Sequence, residues 1–150
     1  MEHLAYDIRC RDFSSAGAAS RDLKQHLKRI GAESDAVRRA MIAAYEAEMN
    51  VVIHAAGDGH LEAAVSDGQL DVDVIDHGPG IPDVESAMRE GWSTASSEAR
   101  ALGFGAGMGL PNMQRCVDRL AVDSTPTGGT RLEMEIFLEA ADSFQKGKTT

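Results

Sequence analysis

Apolar and polar residues alternate from Leu4 to Cys10, with Leu4, Tyr6, Ile8 and Cys10 on one side and Ala5, Asp7 and Arg9 on the other. A period of two predicts a half-buried strand over 4–10. The period then lengthens. Leu23, Leu27 and Ile30 form a helical stripe, with Ser14 or Ser15 placed to cap it and Gly31 to end it. Ser34 reads as the next cap, opening a helix to about Ala56 that Gly57-Asp58-Gly59 stops. Val37, Met41, Ile42, Tyr45, Met49, Val52 and Ile53 make this second helix apolar on most sides, the pattern of a buried one.

Strands return at 60–65 and 69–76, joined through Ser66-Asp67-Gly68, and Asp-Gly is a strong hairpin signal. Leu70, Val72 and Val74 alternate with Gln69, Asp71 and Asp73, giving one dry and one wet face. From Pro82 to Gly109 the composition shifts to Gly, Ala, Ser, Met and Glu, which reads as a short helix near 84–90 and then a loop. Leu110 to Leu120 is predicted helical. A last hairpin follows over about 121–125 and 130–138, turning at Gly128-Gly129, with Leu132, Met134 and Ile136 on its dry side. The predicted order is β-α-α-β-β-loop-α-β-β. Hairpins imply a mixed, largely antiparallel sheet, and the helices must cover one face, so the fold class is α+β, a two-layer sandwich. One domain over 1–140 and a polar tail over 141–150 account for the chain.

Composition narrows the function. Hydrophobic residues are 43% and charged residues 26% of the chain, enough for a real core. Lys and Arg total 15 against 24 Asp and Glu, a net charge of −9. That argues against a general nucleic-acid binder, although a single nucleotide can still be held by backbone N–H groups and a metal ion. The two cysteines cannot make a disulfide framework or a zinc cage, and a reducing cytoplasm suits them. The first residues lack a secretory pattern, and no window approaches ~18 consecutive apolar residues, so no membrane role is expected.

Three places break the pattern. Glu46 and Asn50 lie four apart and share a helix face, with His54 four further on. That face is either the helix's solvent stripe or the lining of a pocket. In a pocket, the amide oxygen suits Mg²⁺ and the carboxylate can take a proton from an attacking hydroxyl. Asp76-His77-Gly78-Pro79-Gly80 ends a strand, either as an ordinary turn or as a carboxylate placed to accept a hydrogen bond from an adenine amino group. Gly103, Gly105, Gly107 and Gly109 recur at every second position before a helix. Such spacing stabilises neither helix nor strand; it is either a plain flexible loop or backbone that wraps an anion at a helix start. Gly147-Lys148-Thr149 is no P-loop, since the earlier glycine would fall at Asp142.

Taken in order, these signals resemble the GHKL, or Bergerat-fold, ATP-binding domain. Glu46-Ala47-Glu48-Met49-Asn50 resembles its N box, Asp76-His77-Gly78-Pro79-Gly80 its first glycine box, and Gly105-Ala106-Gly107-Met108-Gly109-Leu110 its second. Gly129-Thr130 resembles the last motif. The small size and the run Gly109-Leu110-Pro111-Asn112-Met113 resemble stand-alone anti-sigma-factor and switch-protein serine kinases. The resemblance implies ATP and Mg²⁺ as cofactors, Glu46 as general base and Asn50 as the Mg²⁺ ligand. It implies that Asp76 takes the adenine amino group, Gly78 and Gly80 shape the base pocket, and Gly105, Gly107, Gly109 and Leu110 hold the phosphates, with Thr130 near the adenine. It implies a cytoplasmic serine/threonine kinase that phosphorylates or sequesters a protein partner, an anti-anti-sigma-like substrate or a sigma factor, and that can form a homodimer. The alternatives are an ATP-gated binding module without kinase activity and an interaction domain that binds no nucleotide.

Overall fold

The computed structural model describes residues 2–54, 57–77, 109–125 and 129–138. The described elements run β1 (Glu2–Ile8), α1 (Ala18–Arg29), α2 (Ser34–His54), β2 (Gly59–Ser66), β3 (Gln69–Asp76), α3 (Gly109–Cys116), β4 (Arg119–Thr125) and β5 (Gly129–Phe137). This is the expected order, and the α+β two-layer class holds. The strands form one sheet in the order β1-β2-β3-β5-β4, and all four pairings are antiparallel. The expected short helix near 84–90, the loop behind it and the tail over 141–150 lie outside the described residues.

Period-two patterning sets which sheet face is dry. Leu61 and Ala63 of β2, Leu70, Val72 and Val74 of β3, and Leu132, Met134 and Ile136 of β5 are buried beneath the helices. Asp71, Asp73, Glu62, Arg131 and Glu133 occupy the opposite face, where Arg131 reaches Asp73 at 3.0 Å and Glu133 at 3.1 Å. The β2–β3 hairpin turns at Asp67 and Gly68, with φ of 51° and 75°. Positive φ at both positions is the two-residue turn whose twist matches paired strands, as the Asp-Gly pair predicts.

The helix α2 is the centre of the helical layer. Its fully buried positions are mainly alanines, Ala36, Ala40, Ala43, Ala44 and Ala47, while Met41, Ile42 and Tyr45 are only half-buried. Small side chains let α1, α3 and the sheet approach α2 from different sides. The apolar-all-round pattern thus identifies the central helix correctly, but the contact surface is cut by alanine.

Several expected boundaries shift. The first strand is Glu2–Ile8 rather than 4–10, and Cys10 lies in the turn beyond it. The last long helix ends at Cys116, not Leu120, because Arg119 and Leu120 pair with Glu135 and Met134 in the sheet. Ser34 does not cap α2. Glu33 does: its carbonyl accepts from Val37 N–H at 2.9 Å and its carboxylate from Ala36 N–H at 3.1 Å. Neither Ser14 nor Ser15 caps α1. Gly17 stands at that end with φ of 91°, and the cap comes from Glu48 on α2. Its carboxylate, on a residue 3% exposed, accepts backbone N–H bonds from Gly17 (3.0 Å), Ala19 (3.3 Å) and Ser20 (3.0 Å). A buried charge is tolerable when such donors surround it, and the amino end of a helix offers them together with a favourable dipole.

Candidate functional site

The direction of α2 against its neighbours decides what meets at its far end. Glu33, at the start of α2, donates its N–H to Leu138 O at 3.4 Å, and Arg39 Nη2 reaches Phe137 O at 3.4 Å. The beginning of α2 therefore lies against the end of β5. Asn50 is 17 residues past Glu33, about 26 Å at ~1.5 Å per helical residue. Thr130 is eight residues before Leu138, about 26 Å at ~3.3 Å per strand residue. Asn50 and Thr130 are thus near one level. Across the β3–β5 ladder Thr130 stands opposite Asp76.

The helix α3 runs the same way as β5 and opposite to α2. Arg39 Nη1 donates to Cys116 O, at the end of α3, at 3.0 Å. One turn after its start, Asn112 Nδ2 donates to Glu46 Oε1 at 3.2 Å. Its amino end, at Gly109, therefore points toward the Asn50 end of α2. Leu110, Pro111 and Met113 are buried and seat α3, and a proline in the first turn costs no helical hydrogen bond.

Asp76 and Thr130 are the polar ends of two otherwise apolar rows. They are 9% and 8% exposed. Thr130 Oγ1 lies 3.0 Å from Ser124 Oγ on β4. Glycines flank Asp76 on both neighbouring strands. A Cβ on Gly59 would meet Ile75 O at 2.3 Å, and a Cβ on Gly129 would meet Asp76 O at 2.1 Å and Asp76 Oδ1 at 3.2 Å. Gly129 also has a φ of 80°, a conformation that L residues rarely adopt. Only glycine fits at either place without moving the strand that carries Asp76.

The structure thus brings Glu46, Asn50, Asp76, Thr130 and the Gly109–Leu110 start of α3 to one end of the sandwich. Glu46 and Asn50 are half-buried, so neither the pure solvent stripe nor the sealed core describes them. Tyr45, beside Glu46, has its hydroxyl pushed up from its ordinary value, chiefly by burial and then by the charges of Glu46 and Glu48. Gly78, Gly80, Gly105 and Gly107 lie outside the described residues. Among the described residues no three His, Cys, Asp or Glu side chains are grouped to hold a metal ion. Among the described residues, a cation at this end would draw on only a few side-chain oxygens. Such a donor set suits Mg²⁺, which keeps waters and takes phosphate oxygens beside one or two protein oxygens, and the Asn50 amide can offer one.

The sequence signals missed three residues here. Asn112 was visible only as part of a run. Gly59 looked like a helix stop, and Glu48 was an unremarked letter inside Glu46–Asn50. No spacing rule points to any of them, because each acts across the chain rather than along it.

Residues 12–136 match the histidine kinase-like ATPase domain. The chain belongs to that family. The anti-sigma F factor of Caldanaerobacter subterraneus subsp. tengcongensis is 36% identical over 107 residues, spanning 71% of this chain and 66% of that protein. The serine/threonine-protein kinase RsbT of Bacillus subtilis is 29% identical over 119 residues, spanning 77% of this chain and 84% of that one. Among solved structures, the RsbU and RsbW domains of a Mycobacterium tuberculosis protein superpose with a TM-score of 0.64 at 19% identity, covering 92% of this chain and 33% of theirs. That last likeness is one of fold. The chain spans just under two thirds of the length of the anti-sigma F factor it matches. Among the described residues no helix is long and apolar enough to cross a membrane.

Proposed function

We propose that this histidine kinase-like ATPase domain binds ATP with Mg²⁺ and transfers the γ-phosphoryl group to a serine or threonine hydroxyl of a regulatory protein, acting as an anti-sigma-factor-like kinase. The observation that carries the reading is the meeting of Glu46, Asn50, Asp76 and Thr130 with the start of α3 at one end of the sheet. Asp76, held between two glycines, accepts a hydrogen bond from the adenine amino group, and Thr130 lies beside it. The N–H groups at Gly109 and Leu110 face the phosphates at the positive end of α3. The family resemblance assigns Gly78 and Gly80 to the base pocket and Gly105 and Gly107 to the phosphates. Asn50 gives its amide oxygen to the metal. Bound Mg²⁺ supplies charge neutralisation on the phosphate oxygens. Glu46 takes the hydroxyl proton as the new O–P bond forms and the bond to the ADP oxygen breaks.

The names of the relatives, anti-sigma F factor and serine/threonine-protein kinase, support a protein partner and a kinase rather than an ATP-gated module without chemistry. Cytoplasmic residence and a homodimer complete the reading.

The test is Glu46→Gln. Phosphorylation of the products of neighbouring genes with labelled ATP should fall by about two to four orders of magnitude. Affinity for Mg-ATP by calorimetry should stay within about threefold, since the carboxylate acts on the hydroxyl and not on the nucleotide. A parallel loss of both would remove Glu46 from the base role. Failure of wild-type protein to distinguish Mg-ATP from a triphosphate lacking adenine would remove Asp76 from the adenine role.

A further inference from the structure

Asn112 is tied at both ends of its amide. Its Nδ2 donates to Glu46 Oε1 at 3.2 Å, and its Oδ1 accepts from Arg115 Nη2 at 2.7 Å. The two partners fix the amide's orientation, because a carboxylate accepts and a guanidinium donates. Asn112 and Glu46 are both half-buried, where a hydrogen bond to a charged group holds its geometry better than at an open surface. Among the described residues the hydrogen bond to Glu46 comes from Asn112 and falls on Oε1.

We propose that Asn112 is a positioning residue for Glu46, with Arg115 holding Asn112 in turn. The inference rests on Glu46 being the base. It adds that the base is aimed from α3, the helix that begins at the last glycine of the glycine-rich run. One carboxylate oxygen is anchored to that helix, and the other receives the hydroxyl proton. Asn112 itself touches neither nucleotide nor acceptor.

Two readouts test this. The first needs no nucleotide: the side-chain amide signals of Asn112 in a ¹H–¹⁵N spectrum should move when Glu46→Ala removes their acceptor. Signals that stay put overturn the proposal. The second is the rate of ADP release from Mg-ATP in the presence of the acceptor protein found among the products of neighbouring genes. Asn112→Ala should lower kcat on the order of tenfold to a hundredfold, the scale of a misaligned catalytic group, with KM for Mg-ATP unchanged within about threefold. Asn112→Asp should be slower still, because it sets a like charge against Glu46. A residue that only packs would show the opposite order, since aspartate nearly matches asparagine in shape. In a Glu46→Gln background, Asn112→Ala should cost nothing more. If Glu46→Gln alone keeps wild-type kcat, the base assignment fails and takes this role with it. If Glu46→Gln is inactive while Asn112→Ala turns over normally, the positioning role alone is overturned.

Discussion

Two glutamates two residues apart on α2 meet opposite fates. Glu48 points into the seam with α1, is buried, and spends its carboxylate on three backbone N–H groups. Glu46 points into the seam with α3, is half-buried, and among the described residues accepts one hydrogen bond, from the Asn112 side chain. A helix advances ~100° per residue, so a two-residue step turns a side chain to the other flank. The same residue type therefore serves structure on one flank and is available for chemistry on the other. Burial and commitment separate them: a carboxylate sealed in the α1 seam and held by three backbone N–H groups is out of reach of a substrate hydroxyl.

Breaking each glutamate should separate the two roles. Glu46→Gln is the larger effect, a loss of phosphoryl transfer of about two to four orders of magnitude with the melting temperature almost unmoved. Glu48→Ala should do the reverse. It strands three N–H groups at a buried helix end, so about 3 kcal/mol of stability should go, roughly 10 °C in melting temperature for a chain of this size. Turnover per folded molecule, measured well below the transition, should be unchanged. A Glu48→Ala protein that melts normally would mean that α1 finds another cap.

Gly129 and Gly31 sharpen the contrast at the next level down. Both have φ of 80°, but a Cβ on Gly31 meets nothing within 4 Å, while one on Gly129 runs into Asp76. Gly31→Ala should cost about 1 kcal/mol, from the backbone conformation alone. Gly129→Ala adds a backbone clash that parts β5 from β3, so the loss should exceed about 2 kcal/mol by urea titration. Mg-ATP affinity should fall about tenfold or more for Gly129→Ala only. Equal affinities in the two variants would break the link between Asp76 and the nucleotide.

These residues also show what a sequence can and cannot disclose. The strands of the β2–β3 hairpin were legible to within a residue, because period-two alternation and an Asp-Gly turn are local physics. The Glu46–Asn50 pair was legible because a helix brings residues four apart together within one element. The caps were not: serine at the right place loses to Glu33, one residue earlier, and to Glu48, about thirty residues away. Those choices depend on how α1 packs on α2, which no local window contains. Asn112 escaped for the same reason, since its meaning lies in the α2–α3 seam. The end of α3 was misplaced because Arg119 and Leu120 suit a helix locally, and the ladder to β5 overrides that preference.

The smallest effect lies where α1 meets β1. Tyr6 donates its hydroxyl to Asp22 Oδ2 at 2.5 Å. Burial first, then the hydrogen bond and charge of Asp22, push the hydroxyl well above its ordinary value, while Arg29 pulls it down. A raised value means the fold favours the protonated form. Its contribution is complete below about pH 10, the unfolded value, and is lost as pH climbs toward the folded one. Tyr6 is only half-buried, so the hydroxyl is worth at most about 1 kcal/mol near neutrality. Tyr6→Phe should therefore melt slightly below wild type at about pH 8, and the gap should close as pH rises beyond about 10. A gap that stays constant up to about pH 11 would show that Asp22 does not hold the tyrosyl proton. Tyr6 would then contribute only packing to the contact of α1 with β1, unlike Glu48, whose carboxylate caps α1 in the seam with α2.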